Sequence, residues 1–228
     1  MRTIAILPIK SFGAAKQRLA GLLGSGARQA LVQAMFQDVL FALRKVPEID
    51  EIAVVSANAM AQRAARGEGV LLLEDAEETG HSEAALIGVA HAVESGFDRA
   101  LLVAGDTPLL DPEELGAMLA RAAQRETGLV VVPDRHGTGT NALLLQPPTA
   151  IVPSFGVGSR GRHGALAAAA EISCEVEHLD SLAIDVDTPE DLAALSEMLA
   201  ESRAKATMTR GALRQLDRSR AHPSVAAS

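Results

Sequence analysis

The sequence contains no tryptophan and no tyrosine, and it has five phenylalanines among its 228 residues. Aromatic stacking is therefore scarce, and a nucleobase bound here would be recognised mainly by backbone and aliphatic contacts. The single cysteine, Cys174, excludes an internal disulfide and fits a reducing cytoplasm. Because Cys174 lies in a strand-like stretch, we expect a buried thiol rather than a nucleophile.

Long apolar runs are also absent, since none approaches the roughly 18 residues of a membrane span. The N-terminus enters a strand-like run directly, so we expect no signal peptide and a cytoplasmic protein without membrane attachment. The net charge of −8 argues against general nucleic-acid binding. The charge is uneven, because residues 202–228 hold six Lys or Arg and one Asp. We predict a basic, mobile tail there, or a helix that docks on something else.

Hydrophobic residues make up 48% of the sequence, which is enough for the large core of one domain. Strand-like runs alternate with helical stretches, and this alternation is typical of an α/β fold with a mainly parallel sheet. The predicted strands cover 3–9, 52–56, 70–74, 100–104, 129–133, 140–145, 174–179 and 182–186. A capping residue followed by Pro and acidic residues predicts helix starts at Asp111-Pro112 and Thr188-Pro189.

An apolar run that begins at Ala100 ends abruptly at Gly105-Asp106. In an open parallel sheet, ligands bind beyond the carboxyl ends of the strands, and a glycine there lets a ligand approach the backbone. Asp187 also follows a predicted strand, and strand alternation puts Asp185 on the same face. Such carboxylates suit Mg²⁺, which proteins hold with one or two carboxylates plus substrate phosphates. The alternative is that each Asp only caps the turn that follows it.

Three cations follow the first predicted strand, namely Lys10, Lys16 and Arg18. A strand-to-helix loop with positive charge suits a polyphosphate. The loop is not a Walker loop, which needs a different glycine and lysine spacing. A solvated helix start would carry similar charges, so this loop alone leaves both interpretations open.

Two glycine-rich loops, at 134–139 and 155–164, form a second candidate anion site together with the first residues of the strand at 140–145. Glycines free the backbone to curl around an anion, and side-chain donors near a helix start add to the attraction. The candidate donors are Arg135, His136, Thr138, Thr140, Asn141, Ser159, Arg160, Arg162 and His163. The alternative is that both segments are flexible surface loops.

Other catalytic signatures are missing from the sequence. The histidines lack zinc-type spacing, and there is no Ser-His-Asp order and no Gly-x-Ser-x-Gly elbow. Two anion sites and a divalent-metal site without a nucleophile point to transfer between phosphates, where positioning and charge neutralisation do most of the catalysis.

Five motifs occur in order along the chain. They are Leu7-Pro8-Ile9-Lys10 with Ala15-Lys16-Gln17-Arg18-Leu19, Gly105-Asp106-Thr107-Pro108-Leu109-Leu110, Pro133-Asp134-Arg135-His136-Gly137-Thr138-Gly139-Thr140-Asn141-Ala142-Leu143, Phe155-Gly156-Val157-Gly158-Ser159, and Asp185-Val186-Asp187-Thr188-Pro189. Together they closely resemble the 2-phospho-L-lactate / phosphoenolpyruvate guanylyltransferase family of coenzyme F-420 biosynthesis. The match covers about Met1 to Leu199. The motif from Pro133 is specific, whereas Gly-Asp-x-Pro is shared by many nucleotidyltransferases.

The resemblance implies a nucleotide-diphospho-sugar transferase-like (GT-A) three-layer α/β fold with a mixed, mainly parallel sheet. Residues 1–201 would be the guanylyltransferase domain, and residues 202–228 the basic tail. GMP would move from GTP to the phosphate of a small phospho-carboxylic acid, with Mg²⁺ as cofactor and pyrophosphate as product. Phosphoenolpyruvate, 2-phospho-L-lactate and 3-phospho-D-glycerate stay open as acceptors, because small differences in apolar fit are worth only about 1–3 kcal/mol.

The resemblance also implies roles for individual residues. The metal-centred acids would be Asp106, Asp185 and Asp187, and catalysis would involve Asp106, Lys10 and Lys16. The acceptor would be held by Thr140, Gly156 and Ser159, to which the glycine-rich loops add Asn141, Arg162 and His163. The nucleotide would face Leu7, Pro8, Lys10, Lys16, Gly80, Ser82 and Gly105. The family usually has Asn where this chain has Ser82, so the recognition of guanine stays open.

Two competing hypotheses have different sequence requirements. Another nucleotidyltransferase of this fold, acting on a sugar phosphate or a cofactor precursor, usually has a glycine-rich Gly-x-Gly-x-Arg first loop, which is absent here. A non-catalytic nucleotide sensor would be favoured by loss of Asp106 or Asp187, and both are present. The charge of the tail raises the further hypothesis of contact with the downstream enzyme that consumes the product. Oligomeric state cannot be inferred from the sequence.

Overall fold

The computed structural model describes residues 1–9, 16–75, 80–201 and 205–221. Within these residues, seven strands form one sheet, and helices cover both of its faces. The strands are β1 (Thr3–Pro8), β2 (Glu51–Val55), β3 (Leu71–Leu73), β4 (Arg99–Val103), β5 (Leu129–Val132), β6 (Ala142–Leu145) and β7 (Cys174–Val176). The helices are α1 (Ser25–Leu43), α2 (Ala59–Glu68), α3 (His81–Glu94), α4 (Pro112–Gln124), α5 (Ser159–Ala169), α6 (Pro189–Glu201) and α7 (Thr207–Ala221).

The strand order, β3-β2-β1-β4-β6-β5-β7, brings the functional motifs to one edge. β6 runs antiparallel to β4 and β5, whereas the β1–β2, β1–β4, β2–β3 and β5–β7 pairs are parallel. Because β6 is reversed, the residues just before it lie at the same edge as the carboxyl ends of β1, β4 and β5. The predicted α/β fold with a mixed, mainly parallel sheet is confirmed.

The sheet has a hydrophobic core on each face, and successive strand residues alternate between the two cores. Leu7, Leu101 and Val132 face the core formed with α1, α2, α4 and α6. Ile6 and Leu102 face the core formed with α3 and α5. Full burial of such a side chain contributes about 1.5–3 kcal/mol. The well-packed sheet is therefore a rigid support for the polar motifs next to the ends of its strands.

The predicted strand 182–186 is wrong, although the burial pattern behind it is correct. The segment follows a 3₁₀ turn at Asp180–Leu182 and pairs with no described strand. Glu114 accepts the backbone N–H groups of Asp180 and Ser181 at 2.9 and 3.1 Å, and Asn141 Nδ2 donates to Leu182 O at 2.8 Å. The Arg135 N–H donates to Ala183 O at 2.7 Å. Within 182–186, one side chain and one loop N–H thus bind carbonyls that a neighbouring strand would otherwise pair. The alternate residues Leu182, Ile184 and Val186 are buried.

The prediction for Cys174 also fails. The predicted strand 174–179 is shortened to β7, which lies at the edge of the sheet and pairs with β5. Cys174 is exposed in this edge strand. Burial, followed by the negative charge of Glu175, raises the pKa of the Cys174 thiol, so the expectation that it is not a nucleophile keeps its physical support.

Part of the basic tail forms a helix, α7, which is the second of the two alternatives predicted for it. Helix α7 packs against α1 of the same chain. Asp38 in α1 accepts the backbone N–H groups of Met208 and Thr209 at 3.1 and 2.7 Å, and these are donors that the first turn of α7 leaves unpaired. Residues 202–204 and 222–228 lie outside the described residues. Among the described helices, none is long and apolar enough to cross a bilayer.

Both predicted helix starts are confirmed. α4 begins at Pro112, and Asp111 Oδ1 accepts the N–H groups of Glu113 and Glu114 at 2.9 and 3.3 Å. α6 begins at Pro189. Glu114 departs from the expected capping pattern, because its carboxylate accepts N–H groups at the 3₁₀ turn instead.

Candidate active site

The carboxyl edge of the sheet opens into a cavity of about 650 Å³, which we call the edge cavity. The segment after β4, the β5–β6 loop, the loop before α5 and the segment before α6 all contribute to its wall. Its lining residues are Arg18, His81, Ala104, Asp106, Asp134, His136, Thr138, Gly139, Thr140, Asn141, Phe155, Gly156, Val157, Ser159, Asp185, Asp187, Thr188 and Asp191. The cavity therefore brings together residues from all five motifs, with Arg18 contributed by the first.

A lysine bridges two of the predicted metal acids. Lys16 Nζ contacts Asp106 Oδ2 and lies 2.7 Å from Asp187 Oδ1. The Lys16 side chain is 7% exposed, whereas that of Asp187 is 53% exposed. The Lys16 backbone has φ of 58° and ψ of 41°, in the left-handed region, and this conformation costs roughly 1–2 kcal/mol for a residue other than glycine. The two ion pairs offset that cost by fixing the ammonium between the acids.

Asp185 adds a third carboxylate, and the pKa values of the group record an excess of negative charge. Burial, followed by the charge of Asp106, raises the pKa of Asp185 to about 6. Burial alone would raise the pKa of Asp106, but the adjacent Lys16 ammonium outweighs it and lowers that pKa. Burial would lower the pKa of Lys16, yet Asp106 and Asp187 raise it. One ammonium thus compensates three carboxylates, and the group attracts a further cation.

Two side-chain networks position Asp185 and Asp187 without a strand. Asn141 Nδ2 donates to Asp185 Oδ1 at 3.2 Å as well as to the backbone of the same segment. Asp191 Oδ2 accepts the N–H groups of Asp187 and Thr188 at 3.1 and 2.8 Å. Thr188 Oγ1 in turn accepts Asp191 N–H at 3.2 Å, which completes a reciprocal capping box at the start of α6. Asn141, predicted as an acceptor ligand, thus positions an acid.

A hydroxyl pair, Thr140 and Ser159, also lines the edge cavity. Ser159 Oγ donates to Thr140 Oγ1 at 3.0 Å, and His163 Nδ1 lies 3.1 Å from the same oxygen. His163 Nε2 accepts the N–H of Ser154 at 3.0 Å. Burial, followed by the positive charge of Arg162, lowers the pKa of His163 to about 4, so the imidazole is neutral near pH 7. The hydrogen bonds that join Thr140, Ser159, His163 and Ser154 are therefore all between neutral groups.

The loop before α5 depends on two glycines and one arginine. Gly156 and Gly158 have φ of +102° and +72°, which a side chain would disfavour. The Arg162 guanidinium binds the loop through Ser154 Oγ, Ser154 O, Phe155 O and Val157 O. Arg160 Nη1 donates to Gly137 O at 2.9 Å and so joins the two glycine-rich loops. Both arginines were predicted to donate to an anion. The hydrogen bonds described for them go instead to carbonyl oxygens of the loops and to the Ser154 hydroxyl.

Three residues predicted to face the nucleotide present backbone rather than side chains. Leu7 and Pro8 are buried in β1, so their side chains belong to the core. A Cβ at Gly105 would lie 2.3 Å from Ile9 Cδ1. Glycine at 105 therefore makes room for Ile9, which is a different reason from the predicted approach of a ligand.

The start of α3 contacts the loop before α5. Gly80 precedes α3, and Ser82 Oγ accepts the N–H of Phe155 at 3.0 Å. The Phe155 ring packs edge-on against His81, at 4.8 Å between centroids, and against His163, at 5.3 Å. The predicted nucleotide residue Ser82 is thus tied to the predicted acceptor loop. Lys10 lies outside the described residues.

The sequence predictions assigned no individual role to several cavity residues, among them His81, Asp134, Phe155 and Asp191. Asp191 also pairs with Arg135 Nη2 at 2.7 Å, so that arginine, predicted as an anion donor, is engaged. The Thr-x-x-Asp spacing after the capping position would have revealed Asp191. Asp134 accepts the N–H of Thr138 at 2.9 Å, a turn role common for Asp. Nothing local distinguished Phe155 or His81.

Comparison with known proteins identifies the family. The model of the family described as "Guanylyl transferase CofC like" matches residues 3–221. The chain belongs to this family. The phosphoenolpyruvate guanylyltransferase of Conexibacter woesei is 50% identical over 216 residues, covering 95% of this chain and 97% of that one. The phosphoenolpyruvate guanylyltransferase of Sphaerobacter thermophilus is 36% identical over 197 residues, covering 86% and 93%. The CofC-like chain is a nucleotidyltransferase, as the motifs predicted.

A solved structure supports the same fold. A protein from Desulfovibrio desulfuricans G20, assigned to the nucleotide-diphospho-sugar transferases, superposes with a TM-score of 0.75 and covers 95% of this chain and 96% of its own. Its sequence identity is 17%, so the likeness concerns the fold alone. The expectation of a nucleotide-diphospho-sugar transferase-like fold for the CofC-like chain is confirmed.

Proposed function

We propose that this chain transfers GMP from GTP to the phosphate of phosphoenolpyruvate, releases pyrophosphate, and serves coenzyme F-420 biosynthesis. The main support is the composition of the edge cavity. It combines three carboxylates, Asp106, Asp185 and Asp187, with the hydroxyl pair of Thr140 and Ser159. Acids suit a metal-bound triphosphate, and uncharged donors suit a second anion.

The acid group fits Mg²⁺ by its donor chemistry, because carboxylate oxygens are ligands that this ion prefers. Asp106, Asp185 and Asp187 would hold it, and the Lys16 ammonium is a stand-in cation between two of them. Within the described ranges, no three or more His, Cys, Asp or Glu side chains are arranged so that they could hold a metal ion together. We therefore propose that Lys16 leaves the acids for the phosphates when nucleotide binds. The ion would supply neutralisation of phosphate charge.

The nucleotide is proposed to lie along the loop after β1 and the start of α3. Its phosphates would meet Lys10, Lys16 and Arg18. Its base and ribose would meet the backbone of Leu7, Pro8, Gly80 and Gly105, and the hydroxyl of Ser82. Ser82 Oγ accepts an N–H from the loop before α5, so its own hydrogen stays available as a donor. That donor is our proposal for the position where the family usually has Asn.

The acceptor is proposed to lie against the hydroxyl pair and the backbone at Gly156. Ser159 and Arg160, the first residues of α5, donate their N–H groups to Gly156 O and Thr138 O at 3.0 and 3.2 Å. The support from α5 is therefore the partial positive charge of a helix N-terminus, which favours a nearby anion. Asn141 and Arg162 would act on the acceptor indirectly, because Asn141 holds Asp185 and Arg162 holds the loop.

The reaction needs no protein base. The second pKa of a phosphate ester is near 6, so its oxygen is already anionic at pH 7. That oxygen attacks the α-phosphorus of GTP, a new P–O bond forms, and the bond to pyrophosphate breaks. The difficulty is the repulsion between two anions, which Lys16, Arg18 and the α5 N-terminus would reduce in a cavity partly shielded from water.

Phosphoenolpyruvate is proposed over 2-phospho-L-lactate and 3-phospho-D-glycerate because of the names of the two relatives above. All three carry one phosphate and one carboxylate, so the cavity chemistry alone suits each. The product is a reactive mixed diphosphate, and we propose that a downstream enzyme takes it up directly.

The test is a matrix of donors and acceptors. Purified protein is incubated with Mg²⁺, one of GTP, CTP, ATP or UTP, and one of the three phospho-acids, and released pyrophosphate is measured. We expect the fastest release with GTP and phosphoenolpyruvate. Release that is independent of the acceptor, or faster with another nucleotide, contradicts the proposal. A nucleotide sensor would instead bind GTP without releasing pyrophosphate.

A further inference from the structure

The His163 side chain lies behind the edge cavity rather than in its wall. It is 0% exposed and is not among the described lining residues. It makes two polar contacts, one to the N–H of Ser154 and one to the hydroxyl of Thr140. A direct contact between His163 and a bound acceptor is therefore excluded by its position.

The two contacts determine which imidazole nitrogen carries the proton. A backbone N–H can only donate, so His163 Nε2, which receives the N–H of Ser154, has no hydrogen. A neutral imidazole has a single N–H, which then lies on Nδ1 and points at Thr140 Oγ1, 3.1 Å away. The lowered pKa of His163 agrees with the neutral form.

The Nδ1–H group limits what the hydroxyl pair can do. Thr140 Oγ1 accepts from His163, and one hydrogen bond joins Thr140 to Ser159. The pair has two hydroxyl hydrogens and uses one of them between its members. The other hydrogen is left for the edge cavity, which both residues line.

We propose that His163, as the neutral Nδ1–H tautomer, is a positioning residue that orients the Thr140–Ser159 hydroxyl pair to donate one hydrogen bond to an anionic oxygen of the acceptor. This inference rests on the proposed function for the identity of the acceptor. It gives His163 a different role from the direct ligand that its place in the glycine-rich motif predicts. It also links the loop before α5 to acceptor affinity through Ser154.

The first test measures the kinetics of His163→Leu, in which an apolar side chain of similar reach replaces the imidazole and both nitrogens are lost. We expect the KM for phosphoenolpyruvate to rise roughly tenfold or more, as for loss of a hydrogen bond to a charged group. The KM for GTP should stay within about twofold. His163→Asn restores a donor toward Thr140 and should recover part of the loss. His91→Leu, on α3 beside Ser95, is the matched control and should match the wild type.

A double-mutant cycle separates positioning from general support of the fold. If His163 acts through Thr140, then His163→Leu adds little to the acceptor KM of Thr140→Val, because the oriented hydroxyl is already gone. Additive effects, or an equal rise in the KM for GTP, overturn the proposal. Thermal unfolding of each variant identifies any that fail to fold, and for these the His163→Asn pair replaces His163→Leu.

The second readout does not depend on turnover. Nitrogen NMR of labelled wild-type protein reports which imidazole nitrogen of His163 is protonated. We expect the Nδ1–H tautomer, and perturbation of the Thr140 and Ser159 amides when phosphoenolpyruvate is added. A protonated Nε2 overturns the inference even if the enzyme is active. A correct tautomer with perturbed amides, but no pyrophosphate release, would instead locate the failure in the proposed reaction.

Discussion

The edge cavity has two halves whose polar groups are satisfied in different ways. The acid half consists of Lys16, Asp106, Asp185 and Asp187. The hydroxyl half consists of Thr140, Ser159 and His163 with the loop that Arg162 binds. In the acid half, one ammonium faces three carboxylates and full charges compensate one another incompletely. In the hydroxyl half, neutral donors and acceptors are paired, and Thr140, Ser159 and His163 are buried.

The difference indicates how each half meets its substrate. Buried neutral hydrogen bonds hold the hydroxyl half in one arrangement before a ligand arrives, so little ordering is left to pay for on binding. The acid half holds its charges through a lysine that the proposed metal-nucleotide complex must displace. We therefore expect changes in the acid half to act on catalysis and metal response, and changes in the hydroxyl half to act on acceptor affinity and pH stability.

The largest effect is expected for Asp106→Asn. The change keeps the size of the side chain but removes the carboxylate that Lys16 contacts, and we expect guanylyl transfer to fall by about a thousandfold or more. Pyrophosphate release measures the loss, and circular dichroism tests folding. Asp98→Asn, at the opposite end of β4, is the matched control, because Asp98 binds Arg2 N–H away from the cavity. Turnover like that of the wild type in a folded Asp106→Asn protein refutes the role of the acid half.

Lys16→Met should lower kcat by roughly a hundredfold, because a charge aimed at the phosphates is lost. It also leaves Asp106 and Asp187 without their shared cation. We therefore expect Mg²⁺ alone to raise the Tm of Lys16→Met by more than it raises that of the wild type. Lys45→Met, whose ammonium lies over the Phe41 ring on the surface, controls for loss of a lysine. Equal Mg²⁺ responses would show that Lys16 does not compete with a cation.

A pH-dependent loss of stability is expected from the hydroxyl half. The pKa of His163 is about 4 in the folded state against 6.5 as its ordinary value, so the unfolded chain binds more protons between these values. The contribution of neutral His163 to the free energy of unfolding is therefore fully present above its ordinary pKa, and it is lost as the pH falls toward the pKa of the folded state. At about pH 4.5 the loss from this residue is roughly 2.5 kcal/mol.

Urea unfolding of wild type and His163→Leu near pH 7 and pH 4.5 measures that difference. The groups facing the imidazole are the Arg162 cation, the Thr140 hydroxyl and the neutral Ser154 and Phe155. Among the described residues that contact His163, no carboxylate therefore shares its titration. We expect the free energy of unfolding of His163→Leu to depend less steeply on pH. Parallel curves for the two proteins would mean that His163 is not held neutral by the fold.

The smallest effect is expected for Arg162→Lys. A lysine keeps the charge but cannot donate in several fixed directions to the loop carbonyls, so the loop should loosen. We expect the acceptor KM to rise about tenfold, with kcat and the KM for GTP little changed. Arg125→Lys, which alters a surface pair with Glu175, is the control. A drop in kcat without a change in acceptor KM would place Arg162 in the acid half instead.

Much of the scaffold follows from local patterns. Alternating apolar runs located the strands, and the capping residues Asp111 and Thr188 located two helix starts, because these signals depend on neighbours in sequence. The alternation in Leu182, Ile184 and Val186 predicted burial correctly but not strand pairing. Pairing depends on a partner strand, and here the Asn141 side chain and the Arg135 N–H bind carbonyls of this segment instead.

The candidate site divides along the same line. Motifs alone predicted Asp106, Asp185, Asp187 and Thr140 as residues for metal and anion chemistry, because carboxylates and hydroxyls at the ends of predicted strands suit such ligands. The positioning roles of Asn141, Arg162 and His163 could not be predicted, since each depends on a hydrogen bond to a segment distant in sequence. The same holds for the contact between Ser82 and Phe155, which are 73 residues apart.

The sequence by itself determined the family and the α/β class and predicted the candidate metal acids, because these depend on local patterns and motifs. Only the tertiary structure decided that β6 runs antiparallel to β4 and β5. For this reason Thr140 and Asn141, just before β6, lie near the carboxyl end of β4, which Asp106 follows. The tertiary structure also decided that a neutral imidazole stands behind the hydroxyl pair. Both depend on the packing of distant segments, where the burial of a group and the partner of each hydrogen bond are set together.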